Sequence, residues 1–365
     1  MNLNDYLIDA EKQILIKNAL LQTYFKEKNE DFLKSEYGKI DIEANVNQRY
    51  LRSLNNIVPW VSNYIDLQEK ILLEIGCGTG SSTVAFSHFV KSIIAYDIDK
   101  KSIDAAKKRS KILDISNIKY HLVSPDNLLE SIAINSKEKN IDIILLFAVL
   151  EHMTVAERHD TINFCWNLLP DDGLLVIVET PNILQYFDSH TSVLPFFHML
   201  PSDLCARYSV KSPRDGFNDY FLEDENLIDL DVKMSRWGRG VSYHDFELTI
   251  GEEYAKYIIA NGYEKEILEW FGVTVEEDIL RFYIDNKKYK INDAFKRSVL
   301  NLIFKKNSTL TPSTLPIPPP ISICDSFDID KLLASEQELG RVINSKRWKL
   351  INLLTSPYRK IKQII

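Results

Sequence analysis

Residues 72–82 read LLEIGCGTGSS, and this stretch decides the fold. An apolar run ends at Ile75 and is followed by three glycines at every second position, Gly76, Gly78 and Gly80. Glycine adopts positive φ readily and lets another molecule approach the backbone closely. A glycine-rich turn between a buried strand and a helix is typical of the ligand crevice of an open parallel sheet. We therefore expect a ligand to lie against this turn.

Short apolar runs alternate with helical segments along the chain around this turn. The runs that we predict as strands are 71–75, 92–96, 118–123, 141–147 and 173–179. The segments that we predict as helices are 82–90, 100–113, 126–134 and 155–168. Near-continuous apolar strands separated by helices predict an α/β fold with a doubly wound, Rossmann-like parallel sheet. Two later runs, 231–237 and 244–250, are predicted to form a hairpin at the sheet edge.

Composition and charge exclude several classes of protein. The chain has 365 residues and four widely spaced cysteines, with no CxxC pair, so we expect free thiols in a reducing compartment. The net charge of −8 argues against general nucleic-acid binding. The first residues carry acids and no apolar core, so no signal peptide is expected. No run approaches the ~18 apolar residues of a membrane span. These features together predict a cytoplasmic protein.

Two carboxylates beside the glycine turn indicate the charge of its ligand. Glu74 precedes the first glycine, and Asp97 ends the next predicted strand. An acid at the position of Asp97 can accept hydrogen bonds from both ribose hydroxyls of a nucleoside. The glycine spacing is GxGxG, whereas dinucleotide sites have GxGxxG. Because Glu74 would repel a pyrophosphate, the turn favours a cationic nucleoside with an amino group, such as S-adenosylmethionine.

With these residues, the chain resembles the class I S-adenosylmethionine-dependent methyltransferases. The matching stretches are LLEIGCGTG, IIAYDIDKKSIDAAKKR, IDIILLFAVLEHM and LLPDDGLLVIVETPN. The resemblance implies a sheet of seven strands with the last one antiparallel, and S-adenosyl-L-methionine as the cofactor. It implies cofactor contacts from Glu74, Gly76, Gly78, Gly80, Asp97, Ile98, Asp126 and Phe147. After the third strand, where the family often has an acid for the adenine amine, the chain reads LVSPDNL, so either Asp126 or Ser124 occupies that place.

The remaining segments are assigned by pattern around this core. The expected divisions are N-terminal helices over 1–54, the S-adenosylmethionine-binding domain over 55–250, a helical extension over 251–306, a proline-rich linker over 307–324 and a basic amphipathic segment over 325–365. Residues 181–230 are far longer than an ordinary connection, so we expect them to form the acceptor pocket. Their aromatic side chains can stack on a sugar or form a small core of their own.

Candidate catalytic residues follow the fourth and fifth strands on the crevice side. An alcohol acceptor needs a histidine, a carboxylate or a metal ion to remove or polarise its proton. The candidates are Glu151, His152, His190 and His244. The alternative for His244 is an ordinary hairpin residue.

The order EH, TPN and a later histidine also resembles the metal-dependent small-RNA 2′-O-methyltransferases. In that family two Glu and two His bind a divalent ion. Ala148 stands at the earlier Glu position here, so the implied set is Glu151, His152 and His190, completed by His198 or Asp188. Two alternatives stay open. LEH starts a helix in many metal-free relatives, and His190 can serve as a general base without a metal.

The C-terminal stretch INSKRWKLINLLTSPYRKIK has a resemblance of its own. It is similar to a short segment found on glycosyltransferases and methyltransferases of bacterial surface-polysaccharide pathways. The matching positions are Ser345, Arg347, Trp348, Leu350, Leu354, Pro357, Arg359 and Lys362. A basic amphipathic helix can lie on an anionic membrane or dock on a protein of a glycan-assembly complex. Self-docking and dimerisation are the alternatives.

The sequence therefore predicts an O-methyltransferase that acts on a sugar hydroxyl of a bacterial surface glycan or its precursor. Three rival hypotheses stay open. They are a methyltransferase of a lipid or quinone, a metal-dependent nucleic-acid ribose methyltransferase, and a non-catalytic scaffold that binds the cofactor. The acidic body counts against the second rival, and the intact acids and histidines count against the third.

Overall fold

The computed structural model describes residues 3–136, 140–214, 216–222 and 227–306. The predicted proline-rich linker and the predicted basic segment lie outside the described residues. Among the described residues, no helix combines the length and the apolar character that crossing a bilayer requires.

A sheet of seven strands forms the centre of the fold. In chain order its strands are β1 (Ile71–Ile75), β2 (Ser92–Asp97), β3 (Ile118–Leu122), β4 (Ile143–Phe147), β5 (Leu174–Pro181), β6 (Ile258–Ala260) and β7 (Val299–Lys305). Their order across the sheet is β3-β2-β1-β4-β5-β7-β6. Strands β1 to β5 pair in parallel, and β7 runs antiparallel to both of its neighbours. The predicted α/β fold, with seven strands and the last one antiparallel, is confirmed.

The central strands are apolar on both faces because helices cover both faces. Along β4, Ile143 and Leu145 join one core cluster, while Ile144 and Leu146 join the other. All four side chains are fully buried. Burying a side chain of this size stabilises the fold by about 1.5–3 kcal/mol. The apolar run therefore encodes a sheet that is packed on two sides.

Helices precede the sheet, connect its strands and follow it. The N-terminal helices are Ala10–Leu21, Glu30–Lys34, Glu36–Glu43, Arg49–Arg52 and Val58–Ser62. The connecting helices are Ser81–Ser87, Lys100–Ile112, Leu128–Ser136 and Val155–Leu168. The later helices are Ser202–Tyr208, Phe217–Leu222, Leu227–Gly238, Tyr243–Ile250, Lys265–Leu268 and Val275–Lys287. The helices predicted between the strands agree with these bounds to within a few residues.

The predicted hairpin is wrong. Residues 231–237 lie within the helix Leu227–Gly238, and residues 244–250 lie within the helix Tyr243–Ile250. Packing of Leu230 and Met234, one turn apart, against the segment before them favours the first helix. The second helix is capped, because Asp245 Oδ2 accepts the backbone N–H of Ser242 at 3.0 Å.

The sheet edge is completed from further along the chain than predicted. Residues 251–306, predicted as a helical extension, contain two helices but also supply β6 and β7. Strand β7 inserts between β5 and β6, so this segment is part of the central fold. The α/β body therefore extends to Lys305 instead of ending near residue 250.

The segment after β5 has a small core of its own. Its buried members are Phe197, Cys205, Phe217, Phe221, Leu230 and Met234. A two-residue ladder between Phe187–Asp188 and Leu194–Pro195 stands beside it. The aromatic residues of this segment were expected either to stack on a sugar or to form a small core. Phe197, Phe217 and Phe221 form such a core.

Candidate active site

The glycine turn after β1 combines a tight bend with an open face. All three glycines have positive φ: +76° at Gly76, +52° at Gly78 and +78° at Gly80. A Cβ on Gly76 would lie 2.0 Å from a methyl of Val149, and one on Gly80 would lie 2.9 Å from the Cβ of Ala106. Among the described residues, nothing lies within 4 Å of the Cβ position of Gly78. Gly78 is therefore the place where a ligand can reach the backbone.

Asp97, at the end of β2, holds this turn in place. Its Oδ2 accepts the backbone N–H of Gly78 at 2.7 Å, and its Oδ1 accepts that of Asp99 at 2.8 Å. Burial raises the pKa of Asp97 above its ordinary value, and these backbone hydrogen bonds partly offset the rise. Each carboxylate oxygen keeps a second lone pair, so Asp97 can still accept two ribose hydroxyls.

Glu74 lies beneath the same turn and is fully buried. Its Oε1 accepts the hydroxyl of Ser82 at 2.5 Å. Its Oε2 has no hydrogen-bond partner anywhere in the described part of the chain. Burial raises the pKa of Glu74 to about 7. A buried acceptor oxygen without a partner leaves a position that a cationic amino group would satisfy. This arrangement fits S-adenosylmethionine and does not fit a diphosphate.

A cavity of about 480 Å³ opens from the turn along the carboxyl ends of the strands. Gly76, Gly78, Asp97, Ile98 and Asp126 all line it. Asp126 is exposed at the rim.

Four of the residues considered for the cofactor site are absent from the described cavity wall: Glu74, Gly80, Ser124 and Phe147. Ser124, the alternative to Asp126, is absent from the described cavity wall. Phe147 is also absent from the described wall, so its expected cofactor contact stays a prediction. Strand alternation sends Phe147 to the opposite face, where its ring lies 6.1 Å from the ring of Trp270.

The chain bends sharply where β4 ends. Ala148 has φ of +52°, and the next residues form the short turn Leu150–His152. The buried Arg158 fixes this turn by donating from Nε to the carbonyl of Leu150 at 3.0 Å. The bend therefore brings His152 to the cavity wall and leaves Glu151 buried behind it.

Glu151, His152 and His190 converge in the structure. One ligand atom from each lies within 4.8 Å of those of the others. His152 Nε2 is 3.8 Å from Glu151 Oε1, and the two imidazole centroids are 5.6 Å apart. The two histidines are 38 positions apart in sequence, so the path of the chain after β5 creates this cluster.

Burial controls the charge of the cluster. Neither carboxylate oxygen of Glu151 has a hydrogen-bond partner among the described residues, and burial raises the pKa of Glu151 to about 8. The backbone N–H of Glu151 itself and the positive charge of Arg158 partly offset that rise. Burial lowers the pKa of His152, and burial with the nearby His152 lowers the pKa of His190 to about 4. Both imidazoles are therefore neutral at pH 7.

Surrounding hydrogen bonds set the orientation of the two histidines. His152 Nδ1 lies 3.1 Å from the carbonyl oxygen of Arg236. Arg236 in turn donates to the carbonyl of His152 at 2.9 Å and forms two hydrogen bonds with Glu157. The carboxylate of Asp188 accepts the backbone N–H of His190 at 3.2 Å. Arg236 and Glu157 line the cavity and were not anticipated from the sequence, because the region of Arg236 was predicted as a strand.

His244 lies away from the cluster, and Asp188 and His198 do not complete it. His244 is exposed, stacks on Tyr243 and lies 2.9 Å from the hydroxyl of Ser242. It does not line the described cavity, so its expected catalytic role is corrected. Asp188 is occupied by backbone N–H groups of its own loop, and His198 lies 3.4 Å from it. Neither completes the set of Glu151, His152 and His190.

Comparison with known proteins identifies a domain that contains these site residues. Residues 73–177 match a methyltransferase domain. The match runs from β1 through β5 and includes the glycine turn, Asp97 and Glu151. Together with the fold it supports a class I S-adenosylmethionine-dependent methyltransferase and S-adenosylmethionine as its cofactor.

Individual relatives match parts of the chain. A tRNA/tmRNA (uracil-C(5))-methyltransferase of Campylobacter lari is 32% identical over 77 residues, 21% of this chain and 22% of that protein. A ubiquinone biosynthesis O-methyltransferase of Pelagibacter ubique is 26% identical over 164 residues, 44% of this chain and 59% of that protein. A plantazolicin methyltransferase structure aligns with a TM-score of 0.41 and 14% identity, over 82% of this chain and 97% of that one. The chain thus spans only part of its curated relatives, and these matches assign no substrate.

Proposed function

We propose that this protein is an S-adenosylmethionine-dependent O-methyltransferase that acts on a sugar hydroxyl of a bacterial surface glycan or its precursor. One observation carries the catalytic part of the proposal. The cavity that begins at the glycine turn reaches His152, which has Glu151 and His190 behind it. A cofactor site and a group that can take a proton therefore share one cavity. The sugar part rests on the resemblance of the C-terminal segment.

The chain's own residues account for cofactor binding. Asp97 would accept the ribose hydroxyls, and the open face at Gly78 would admit the ligand to the backbone. The unpartnered oxygen of Glu74 lies behind the described cavity wall and would attract the amino group from there. Bound there, S-adenosylmethionine supplies a methyl group on a positively charged sulfur, which is already activated for displacement. Holding the acceptor in line with that methyl is then the main task of the protein.

His152 is suited to take the proton of an acceptor hydroxyl. Its Nδ1 lies against the carbonyl of Arg236, which acts as a hydrogen-bond acceptor, so the proton of the neutral ring is on Nδ1. Nε2 therefore carries a lone pair, and His152 lines the cavity. Nε2 can therefore take the acceptor proton. Burial raises the pKa of Glu151, whose Oε1 lies 3.8 Å away, to about 8, so its carboxyl would have to ionise before it could stabilise the imidazolium. The arrangement gives His152 the role of general base.

A lipid or quinone acceptor is the second candidate. The match to the ubiquinone biosynthesis O-methyltransferase favours it, since that alignment covers 44% of this chain. In this case the basic C-terminal segment would hold the protein at a membrane surface. Placement in the cytoplasm, at the inner face of the membrane, is part of both proposals.

Labelled methyl transfer to a panel of acceptors tests the proposal. Purified full-length protein is incubated with methyl-labelled S-adenosylmethionine and nucleotide sugars, lipid-linked glycans or demethylated quinones. We expect label in a glycan fraction, and loss of at least about 100-fold in turnover for His152→Ala, since general bases contribute 10²–10⁴-fold. His152→Ala should still bind S-adenosylhomocysteine.

The control is His244→Ala, which changes an exposed histidine away from the cavity. Label in quinones alone would overturn the sugar assignment. Cofactor binding without transfer to any acceptor class would support the non-catalytic scaffold instead.

A further inference from the structure

We propose that Glu151, His152 and His190 bind one divalent transition-metal ion, of the Mn²⁺, Fe²⁺, Co²⁺ or Zn²⁺ class. The ion would lie at the wall of the cavity, because His152 is part of that wall. The binding claim stands on the three side chains themselves. Any role of the ion in presenting an acceptor hydroxyl rests on the proposed methyl transfer. With Nε2 of His152 bound to it, the ion would replace the free imidazole as the group that activates the hydroxyl.

The spacing of the three side chains is close to that of a ligand set. Metal–ligand bonds from histidine and carboxylate are about 2.0–2.2 Å, so two ligands of one ion lie at most about 4.2–4.4 Å apart. The Glu151 Oε1 to His152 Nε2 distance of 3.8 Å is already within that limit. The full set, within 4.8 Å, needs a contraction of only a few tenths of an ångström. Small rotations of the three side chains would have to supply this movement.

The donor atoms that a metal would use lack other partners. Both carboxylate oxygens of Glu151 and Nδ1 of His190 are buried without a hydrogen bond to any described residue. Buried polar groups in folded proteins are nearly always paired, so three unpaired atoms at one place need an explanation. A single cation between them would satisfy one oxygen and the nitrogen together.

The surroundings orient the imidazoles as metal sites require. A metal-binding histidine usually donates its other ring N–H to a carbonyl or carboxylate. His152 does this through Nδ1, which lies 3.1 Å from the carbonyl oxygen of Arg236. The loop of His190 is braced by Asp188, which accepts the backbone N–H groups of Thr191 and Ser192 at 2.7 Å and 2.9 Å.

Gly238 leaves the space that the two rings occupy. Its φ is +115°, and a Cβ there would lie 2.4 Å from Cε1 of His190 and 3.1 Å from Cε1 of His152. Any larger residue would push the rings out of position. The backbone beside the cluster is therefore shaped around both imidazoles at once.

The ligand types determine the class of metal. Two imidazoles and one carboxylate suit borderline ions such as Zn²⁺, Fe²⁺ and Co²⁺, whereas Mg²⁺ and Ca²⁺ prefer oxygen ligands. Three protein ligands leave at least one coordination position open, as catalytic metal sites do. Because the ion would lie at the cavity wall, an acceptor oxygen is the natural occupant of that position.

Equilibrium dialysis of the full-length protein, after chelation, measures the site without any methyl-transfer assay. We expect one Zn²⁺ or Co²⁺ per chain, bound at least about tenfold more tightly than Mg²⁺, and visible Co²⁺ absorption bands typical of nitrogen and oxygen ligands. Glu151→Gln and His190→Gln should each weaken binding at least about tenfold. His244→Ala serves as the matched control and should bind as the wild type does.

Several results would overturn the site. These are no bound ion, binding of Mg²⁺ as tight as that of Co²⁺, or equal binding in the wild type and both cluster variants. Retained S-adenosylhomocysteine binding shows that the variants are folded, and the Co²⁺ spectrum of the wild type tests the ligands if one variant does not fold. Failure here leaves the methyltransferase proposal intact, since His152 can act without a metal. Metal binding with no methyl transfer would support the metal site and contradict the proposed methyltransferase activity.

Discussion

Asp97→Asn tests how the chain recognises the nucleoside. In the wild type the two oxygens of Asp97 accept backbone N–H groups from Gly78 and Asp99, and each oxygen keeps a lone pair for a ribose hydroxyl. In the asparagine variant one of the two positions becomes an NH₂ group. That group faces a backbone N–H, so donor meets donor, and a ribose hydroxyl also loses its charged acceptor.

The expected size of the effect follows from these contacts. A hydrogen bond to a charged group contributes about 1.5–3 kcal/mol. Loss of one such bond to the ribose weakens cofactor binding by roughly 10- to 150-fold. The lost contact to the turn lowers the free energy of unfolding by a further amount, about 1–3 kcal/mol. Affinity and stability should therefore fall together.

Isothermal titration calorimetry with S-adenosylhomocysteine measures the affinity, and circular dichroism melting measures the stability. Asp104→Asn is the matched control, because the ion pair that Asp104 forms within the described part of the chain is with the exposed Lys100, one turn earlier on the same helix. We expect no change in affinity for that variant. An Asp97→Asn protein that is folded and binds within about twofold of the wild type would refute the reasoning.

Three further predictions concern the turn, the buried acid and the buried arginine. Gly76→Ala places a Cβ 2.0 Å from Val149 at positive φ, so thermal denaturation should show that the free energy of unfolding falls by at least about 1–3 kcal/mol. Gly78→Ala should lower the free energy of unfolding by less and mainly weaken cofactor binding. Burial raises the pKa of Glu151 to about 8, so the protonated side chain contributes stability below about pH 4.5, and this contribution is lost as pH rises through 8. In chelated protein, the advantage of Glu151→Gln over the wild type in the free energy of unfolding should therefore grow from pH 5 to pH 8. A difference that stays constant over this range would contradict the prediction. Arg109 donates hydrogen bonds to three backbone carbonyls and so joins the glycine turn to the N-terminal helices. Arg109→Met should therefore lower the free energy of unfolding by about 2–4 kcal/mol in urea denaturation. A loss below about 0.5 kcal/mol would contradict that role.

The parallel part of the sheet was predictable because burial on both faces leaves a strong pattern. Runs such as ILLEI and IDIILLF contain almost no polar residue, and the helices between them have clear starts. Asp99, for example, caps the helix Lys100–Ile112 by accepting two backbone N–H groups. Local sequence and tertiary packing agree there, so the strands follow from the residues alone.

The sheet edge was not predictable in the same way. Residues 231–237 contain apolar residues that fit either period, and only packing of Met234 into the small core after β5 selects the helix. Strand β6 has three residues, too few for a period. Strand β7 reads VLNLIFK, an apolar run whose signal was present but was assigned to a charged, helical region.

The candidate site was predictable where its residues lie at strand ends. Glu74 and Asp97 lie at the carboxyl ends of β1 and β2, and Glu151 and His152 lie in the turn after β4. The carboxyl ends of parallel strands meet at one edge of the sheet. His190 reaches the cluster through a loop braced by buried hydrogen bonds, which no periodicity reveals. Arg236 was missed for a related reason, since it lies on a helix whose Trp237 and Gly238 form hydrogen bonds with Thr191 of that loop.

Calorimetric titration of the wild-type protein tests the central claim most directly. The claim is that a buried, partly unsatisfied Glu74 and an open glycine turn admit a cationic nucleoside and exclude a diphosphate. S-adenosylmethionine or S-adenosylhomocysteine should bind saturably with one site per chain, and NAD⁺ should show no binding under the same conditions. Saturable binding of NAD⁺, with no heat from either sulfur nucleoside, would contradict the account.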